Sequence, residues 1–239
     1  MVGASNVYNQ IIEKDLDVLM DRTKNRPIPS GRMSVQLAFI IAVSLTIIGI
    51  IALYIINPIT AMFGSVCIFM YVSLYTPLKT KTPLSVFVGA FPGAIPFMLG
   101  WVAATDDFGI AAGTLFAIQF FWQFPHFIAI AWVQHKDYKK AGFKMLFGGE
   151  KTKYPAIISI STSVFMTGLS ITPFFCDTSG LSLSIYAFIL VLVLGIWFTY
   201  KSVLLYQNTD NVSARKLMIS SFLYLPLMQI VYVIDRFLF

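Results

Sequence analysis

The sequence predicts an all-α polytopic membrane protein with seven transmembrane helices, and three observations carry that prediction. The chain is 57% hydrophobic and only 12% charged, with a mean hydropathy of +0.77, which leaves too little polar surface to cover a water-soluble globule of 239 residues. Seven apolar segments are long enough, or nearly so, to cross a bilayer at roughly 20 residues per crossing. The basic residues fall in alternate loops between those segments, as the positive-inside rule requires of a multi-pass protein.

The chain opens on MVGASNVYNQII, too short a run to span before the charged stretch that follows it. Because the first long apolar run comes after that charged stretch, no secretory leader is legible. The spans then follow as Met33 to Ile56, Ile59 to Tyr75, Leu84 to Ala104, Gly109 to Val133, Tyr154 to Phe175, Ser182 to Tyr200 and Leu217 to Ile234. Strands of an outer-membrane barrel would alternate over about ten residues, whereas these runs are apolar on every side, so helices are expected. Asn57-Pro58 makes a tight hairpin of the first two spans. In the third, Pro92 and Pro96 stand among Gly89, Gly93 and Gly100, a composition that implies kinks and close helix approach around a cavity, or ordinary membrane-helix plasticity. Pro125 within WQFPHF reads the same way.

If the loop before Met33 is cytoplasmic, its side holds Lys14, Arg22, Lys24, Arg26 and Arg32, then Lys79 and Lys81, then the six lysines between Lys136 and Lys153, then Lys201, Arg215 and Lys216. The opposite turns at Asn57-Pro58, Thr105 to Phe108 and Cys176 to Gly180 carry neither Lys nor Arg, and Arg236 is the exception at the far end. The net charge of +6 is thereby spent on topology and substrate binding, and no nucleic-acid partner is expected, since the basic residues form no solvated domain. Cys67 and Cys176 fit neither a disulfide framework nor a metal-site spacing.

Three loops on the basic side carry the chemistry. In NQIIEKDLDVLMDRTKNRPIPSGR, Asn9, Glu13, Asp17 and Asp21 recur every four residues, drifting about 40° per step on a helix, so that the first three share one face. Such oxygen ligands suit Mg²⁺, which takes one or two carboxylates and fills its remaining positions with water and a substrate's phosphate oxygens. Arg22, Lys24 and Arg26 follow and suit the rest of a diphosphate's charge. The competing reading is a solvated juxtamembrane helix laced by its own ion pairs. YTPLKTKTP adds Lys79 and Lys81, and HKDYKKAGFKML adds Lys136, Asp137 and Tyr138, one carboxylate among many cations, the mouth expected of a site for an anionic substrate. His126 lies inside an apolar span, where an ionisable group is a functional candidate or a structural hydrogen-bonding group.

These stretches, with YTPLKTKTPLSVFVGAFPGAIP and FFWQFPHFIAIAW, closely resemble the protoheme IX farnesyltransferase (haem O synthase) family of the UbiA-type membrane prenyltransferase superfamily. The resemblance implies transfer of a farnesyl group from farnesyl diphosphate to a vinyl group of haem B, with addition of water, to give haem O and diphosphate. It implies Mg²⁺ held with the diphosphate by Asn9, Glu13 and Asp17, diphosphate contacts from Arg22, Arg26 and Lys79, and catalytic closure by Lys136 and Asp137. His126, Tyr75, Trp122 and Tyr138 become candidates for contact with haem or with an allylic cation. The implied setting is a bacterial cytoplasmic (inner) membrane with the motif loops cytoplasmic and lipid around the spans, and the implied partners include haem A synthase or terminal-oxidase assembly factors.

The sequence departs from the family pattern in several places. Glu13 stands where the superfamily usually has Asp, Lys79-Thr80-Lys81 replaces a Lys-Arg pair, and the third loop lacks the second Asp-rich motif of quinone-type members, which favours the haem branch. Relatives usually have nine helices, so the chain is expected to be one prenyltransferase domain over 1–239 lacking helix one and most of helix two. In that reading 1–12 is a helix remnant, 13–32 the motif loop and 33–239 the seven spans, and the chain alone is expected to be poorly active. Two further readings remain: a related prenyltransferase acting on a quinone precursor or another tetrapyrrole, and a polytopic transporter. A transporter would place its ionisable groups near the bilayer midplane, whereas here they cluster at one face.

Overall fold

The computed structural model describes residues 1–176 and 180–239, so the middle of the expected Cys176 to Gly180 turn lies outside the described residues. Among the described residues all regular structure is helical: α1 (Val2–Ile12), α2 (Lys14–Asp17), α3 (Val35–Ile56), α4 (Pro58–Phe69), a π-helical turn (Met70–Tyr75), α5 (Thr76–Leu78), α6 (Ser85–Thr105), α7 (Ile110–Val133), α8 (His135–Lys140), α9 (Lys153–Phe175), α10 (Ile185–Asn208) and α11 (Asn211–Leu238). Seven of these, counting Pro58–Leu78 as one, are long and apolar enough to cross a membrane.

The expected loop from Lys201 to Lys216 is corrected. Helix α10 runs to Asn208 and α11 starts at Asn211, so Lys201, Arg215 and Lys216 are helical. Hydropathy detects only the apolar part of a helix, whereas caps decide where it ends. Thr209 closes α10 in the left-handed conformation (φ +47°), and Asp210 accepts a hydrogen bond from Ser213 N at 2.7 Å to open α11.

The described chain forms two compact units. The first comprises Met1–Asp106 and Gln134–Met145. Here α1 packs on α3, α3 on α4, and α4 with its π turn on α6. Asn57 serves the expected hairpin twice, ending α3 and capping α4 through its Oδ1, which accepts from Thr60 N at 2.7 Å, with Pro58 at the first helical position. In α6, Pro96 lacks the N–H that would bond the carbonyl of Pro92, and Cys67 Sγ donates to that oxygen instead, at 3.1 Å.

The second unit comprises Asp107–Val133 and Leu146–Phe239. Its four long helices close a ring, α7 on α9, α9 on α10, α10 on α11 and α11 back on α7. Small polar side chains line the inner seams: Ser159 and Ser163 share Ser202 Oγ at 2.9 and 3.1 Å, and Ser170 meets Tyr224 at 3.2 Å. Small hydroxyls let helix backbones approach closely while hydrogen-bonding across the contact. At one end, the Asp235 carboxylate of α11 accepts from Ser184 N at 2.8 Å and from Ser184 Oγ, fastening α11 to the start of α10.

Candidate functional site

In the first unit the motif residues enclose a cavity of about 180 Å³. Asn9, Glu13 and Asp17 reach it from α1 and α2. A continuous helix is not what aligns them, because the backbone breaks at Glu13 (φ −95°, ψ 9°). The four-residue register survives the break, since Glu13 N still donates to Asn9 O at 2.9 Å and Asp17 N to Glu13 O at 2.7 Å. All three side chains are buried, Asp17 completely.

Beyond Asp17 the chain coils back on itself through successive turns. Lys24 N donates to Met20 O at 3.0 Å, Arg26 N to Thr23 O at 2.9 Å and Ser30 N to Arg26 O at 3.0 Å. The buried Thr23 hydroxyl donates to Asp17 O at 2.8 Å. This coil returns Arg26 to the motif, where its guanidinium donates to Asp17 Oδ2 at 2.9 Å. Arg22 also lines the cavity and lies 6.0 Å from the centre of the Tyr138 ring. Asp21 does not join the stripe: it is exposed and paired with Lys24 and Lys140, each at 2.8 Å, which holds its carboxyl down at about 2.

The far wall comes from the end of the second span. Pro77 cannot donate a backbone hydrogen bond, and its ring would crowd the carbonyl of Ser73, so the helix widens there into the π turn Met70–Tyr75. Thr76 N and Oγ1 both bond Tyr71 O, the side chain at 2.8 Å. The wider turn directs Tyr71 and Tyr75 into the cavity, their rings 5.2 Å apart. Lys79, two residues past the proline, is only 8% exposed. Its Nζ donates to Glu13 Oε1 at 2.8 Å and lies 4.6 Å from the centre of the Tyr75 ring. Burial pushes the Lys79 ammonium below its usual range, and the Glu13 carboxylate opposes that shift.

The third loop contributes Tyr138, Phe143 and Met145 to the lining. It is pinned by Lys144 N donating to Lys79 O at 2.7 Å and by Phe143 N donating to Tyr138 O at 2.8 Å. Burial raises the Tyr138 phenol, keeping it protonated as a donor. Lys136 and Asp137 are not part of this lining: Lys136 is exposed, and Asp137 accepts from Lys140 at 3.4 Å. The structure therefore brings together Asn9, Glu13, Asp17, Arg22, Arg26, Tyr75, Lys79 and Tyr138. It adds Asn6 and Tyr71, which the sequence reading missed although they stand three residues before Asn9 and four before Tyr75 at helical spacing. Met20, Phe143 and Met145 carried no signal.

Two buried atoms in the cavity, Asn9 Nδ2 and Asp17 Oδ1, have no hydrogen-bond partner among the described residues. An orphaned carboxylate oxygen is costly unless a ligand completes it. Among the described residues no three His, Cys, Asp or Glu side chains gather as a metal cage. This donor set therefore fits a cation that takes one or two carboxylates and draws its other ligands from water and phosphate, as Mg²⁺ does.

The remaining candidates, Trp122 and His126, lie on α7 in the second unit. Their rings stack at 4.6 Å. Trp122 Nε1 donates to Ser221 O at 3.1 Å. Ser221 Oγ lies 2.7 Å from His126 Nδ1 and 2.6 Å from Met218 O, so one hydroxyl ties the imidazole to α11.

Comparison with known proteins follows the same lines. The model of the UbiA prenyltransferase family matches residues 1–225. The chain is 60% identical over 238 residues to a protoheme IX farnesyltransferase of Flavobacterium psychrophilum, covering 100% of this chain and 79% of the relative. It is 57% identical to one of Christiangramia forsetii with the same coverages, and 37% identical to one of Solibacter usitatus, covering 99% and 80%. Among solved structures, one described as "Structural and mechanistic insights into the biosynthesis of Digeranylgeranylglyceryl phosphate synthase in membranes" shares the fold with a TM-score of 0.79 at 19% identity, covering 98% of this chain and 80% of that chain.

Proposed function

Since the chain belongs to the UbiA prenyltransferase family, we propose that it transfers a farnesyl group from farnesyl diphosphate to a vinyl group of haem B, with addition of water, making haem O and releasing diphosphate. The observation that carries the diphosphate half of this reading is the cavity in which Asn9 Nδ2 and Asp17 Oδ1 are buried without partners beside Arg22, Arg26 and Lys79. The acceptor follows the relatives' name.

The chemistry asks for heterolysis of an allylic C–O bond, so the site must hold negative charge as it develops on the departing diphosphate. Arg22, Arg26 and Lys79 supply the opposing positive charge, Arg by its two-pronged geometry and Lys79 as a point charge in a poorly solvated wall. Asn9, Asp17 and, once released from Lys79, Glu13 would hold Mg²⁺, which supplies Lewis-acid neutralisation of the diphosphate when bound. Tyr71, Tyr75 and Tyr138 offer π faces to the positive charge left on the allyl group. The vinyl group donates its electron pair to that carbon, and water adds to the carbon left deficient, losing a proton.

For the acceptor, the stacked Trp122–His126 pair supplies the candidate contacts, an aromatic ring and an imidazole being groups that suit a planar, iron-bearing molecule. We read residues 1–239 as a single prenyltransferase domain in a bacterial inner membrane, with the motif loops cytoplasmic. Membranes containing the protein, given haem B, farnesyl diphosphate and Mg²⁺, are expected to yield haem O by mass analysis. Product from a quinone precursor and none from haem would overturn the acceptor assignment. Asp17→Asn is expected to cut turnover by at least about a hundredfold with membrane insertion unchanged, and retained activity would remove Asp17 from its role.

A further inference from the structure

The charged side chains lining the cavity are two carboxylates, Glu13 and Asp17, and three cations, Arg22, Arg26 and Lys79. Two of the cations are already engaged: Lys79 Nζ holds Glu13 Oε1 at 2.8 Å, and Arg26 holds Asp17 Oδ2 at 2.9 Å. The groups expected to grip a diphosphate therefore neutralise the groups expected to grip a metal. We propose that Lys79 and Arg26 are exchangeable counter-ions, so that the cavity binds a divalent cation and a diphosphate cooperatively and neither of them well alone. The proposal rests on the reading of this cavity as the diphosphate site.

Charge balance supplies the reason. Three cations against two carboxylates leave the cavity one positive charge. A divalent cation arriving alone raises that to three in a wall where Glu13, Asp17 and Lys79 are all buried, and it must approach carboxylates whose own cations stay beside them. A diphosphate arriving alone draws Lys79 and Arg26 away, leaving two buried carboxylates unpaired and facing phosphate oxygens. When the two arrive together, the cations transfer to phosphate, the carboxylates to metal, and a trianionic diphosphate with a divalent ion cancels the remaining charge.

The geometry suits such an exchange. Lys79 carries a flexible stem, and the Tyr75 ring 4.6 Å from its Nζ gives the ammonium a second stabilising neighbour as it leaves Glu13. Asp17 needs no rearrangement to begin, because Oδ1 is unpartnered while Oδ2 remains with Arg26.

Binding of Mn²⁺, followed by electron paramagnetic resonance on the full chain in lipid nanodiscs, tests the idea without turnover. Affinities are referred to free concentrations, since Mn²⁺ also complexes pyrophosphate in solution. Saturating inorganic pyrophosphate is expected to tighten Mn²⁺ binding by about tenfold or more, and Mn²⁺ to tighten pyrophosphate binding by the same factor. In Lys79→Met the factor is expected to shrink, because Mn²⁺ alone binds better and pyrophosphate alone binds worse, a pair of opposite changes that general loss of structure would not produce. Equal Mn²⁺ affinity with and without pyrophosphate in the unmodified chain would overturn the proposal while leaving the diphosphate site standing. Failure of either probe to bind in any combination would overturn both.

Discussion

Gly89 carries no side chain because Tyr75 occupies the place: a β-carbon there would lie 2.6 Å from Tyr75 Cδ2. Gly89→Ala is expected to force the ring off α6, to cost about 1–3 kcal/mol of stability and to weaken pyrophosphate binding, read by thermal unfolding in detergent and by calorimetry. A second prediction concerns Ser221, whose hydroxyl holds His126 Nδ1 at 2.7 Å. Ser221→Ala leaves the buried Nδ1 without its hydrogen-bond partner, a penalty of about 1–3 kcal/mol, and haem O formation is expected to fall while pyrophosphate affinity stays unchanged; equal losses in both would point to general unfolding. At this scale the sequence was partly legible. Asn9, Glu13 and Asp17 could be read together because a period of four is visible in a string of letters. That Glu13 pairs with Lys79, 66 positions away, could not, because nothing local in either residue specifies a partner across the fold.

Among the elements, the π turn was the least legible, since apolar periodicity does not distinguish an α-helix from one widened by a single residue, and the cue was Pro77 acting on the turn before it. Helix α8 presents a different case. Its Lys140 bridges Asp21 of the first loop at 2.8 Å, both side chains exposed, so the third loop is clasped to the first beside the cavity that Tyr138, Phe143 and Met145 line. Asp21→Asn is expected to open this clasp and speed tryptic cleavage after Lys139, Lys140 and Lys144, and high salt is expected to do the same to the unmodified chain. The pH dependence follows from the two shifts. The Asp21 carboxyl is lowered from 3.8 to about 2, so its contribution is complete above the ordinary carboxylate value and lost as pH falls through about 2. The Lys140 ammonium is raised above 10.5, so its contribution is complete below that value and lost as pH rises through the raised one. Between those limits the cleavage rate attributable to the clasp is expected to be flat, and a step near neutrality would mean that another group holds the loop.

For the whole molecule, the spans were legible to within a few residues wherever a polar turn interrupts an apolar run, and illegible where a helix continues past the apolar part, as α10 and α11 do. Orientation rests on the distribution of basic residues, and the chain contains its own reporter of it. Cys176 is exposed, whereas Cys67 is half-buried with its thiol bonded to Pro92 O. Counting crossings from the first motif loop places Cys176 after an odd number of spans, on the side opposite that loop, where the turns carry neither Lys nor Arg. In intact bacterial cells a membrane-impermeant maleimide is therefore expected to label Cys176 from the periplasm. The same reagent is expected to miss a cysteine at Ser30→Cys, made in a Cys176→Ser background, until the inner membrane is permeabilised. The reverse pattern would put the three charged loops, and with them the diphosphate cavity, on the face away from the cytoplasm, where a diphosphate substrate made inside the cell would not reach them.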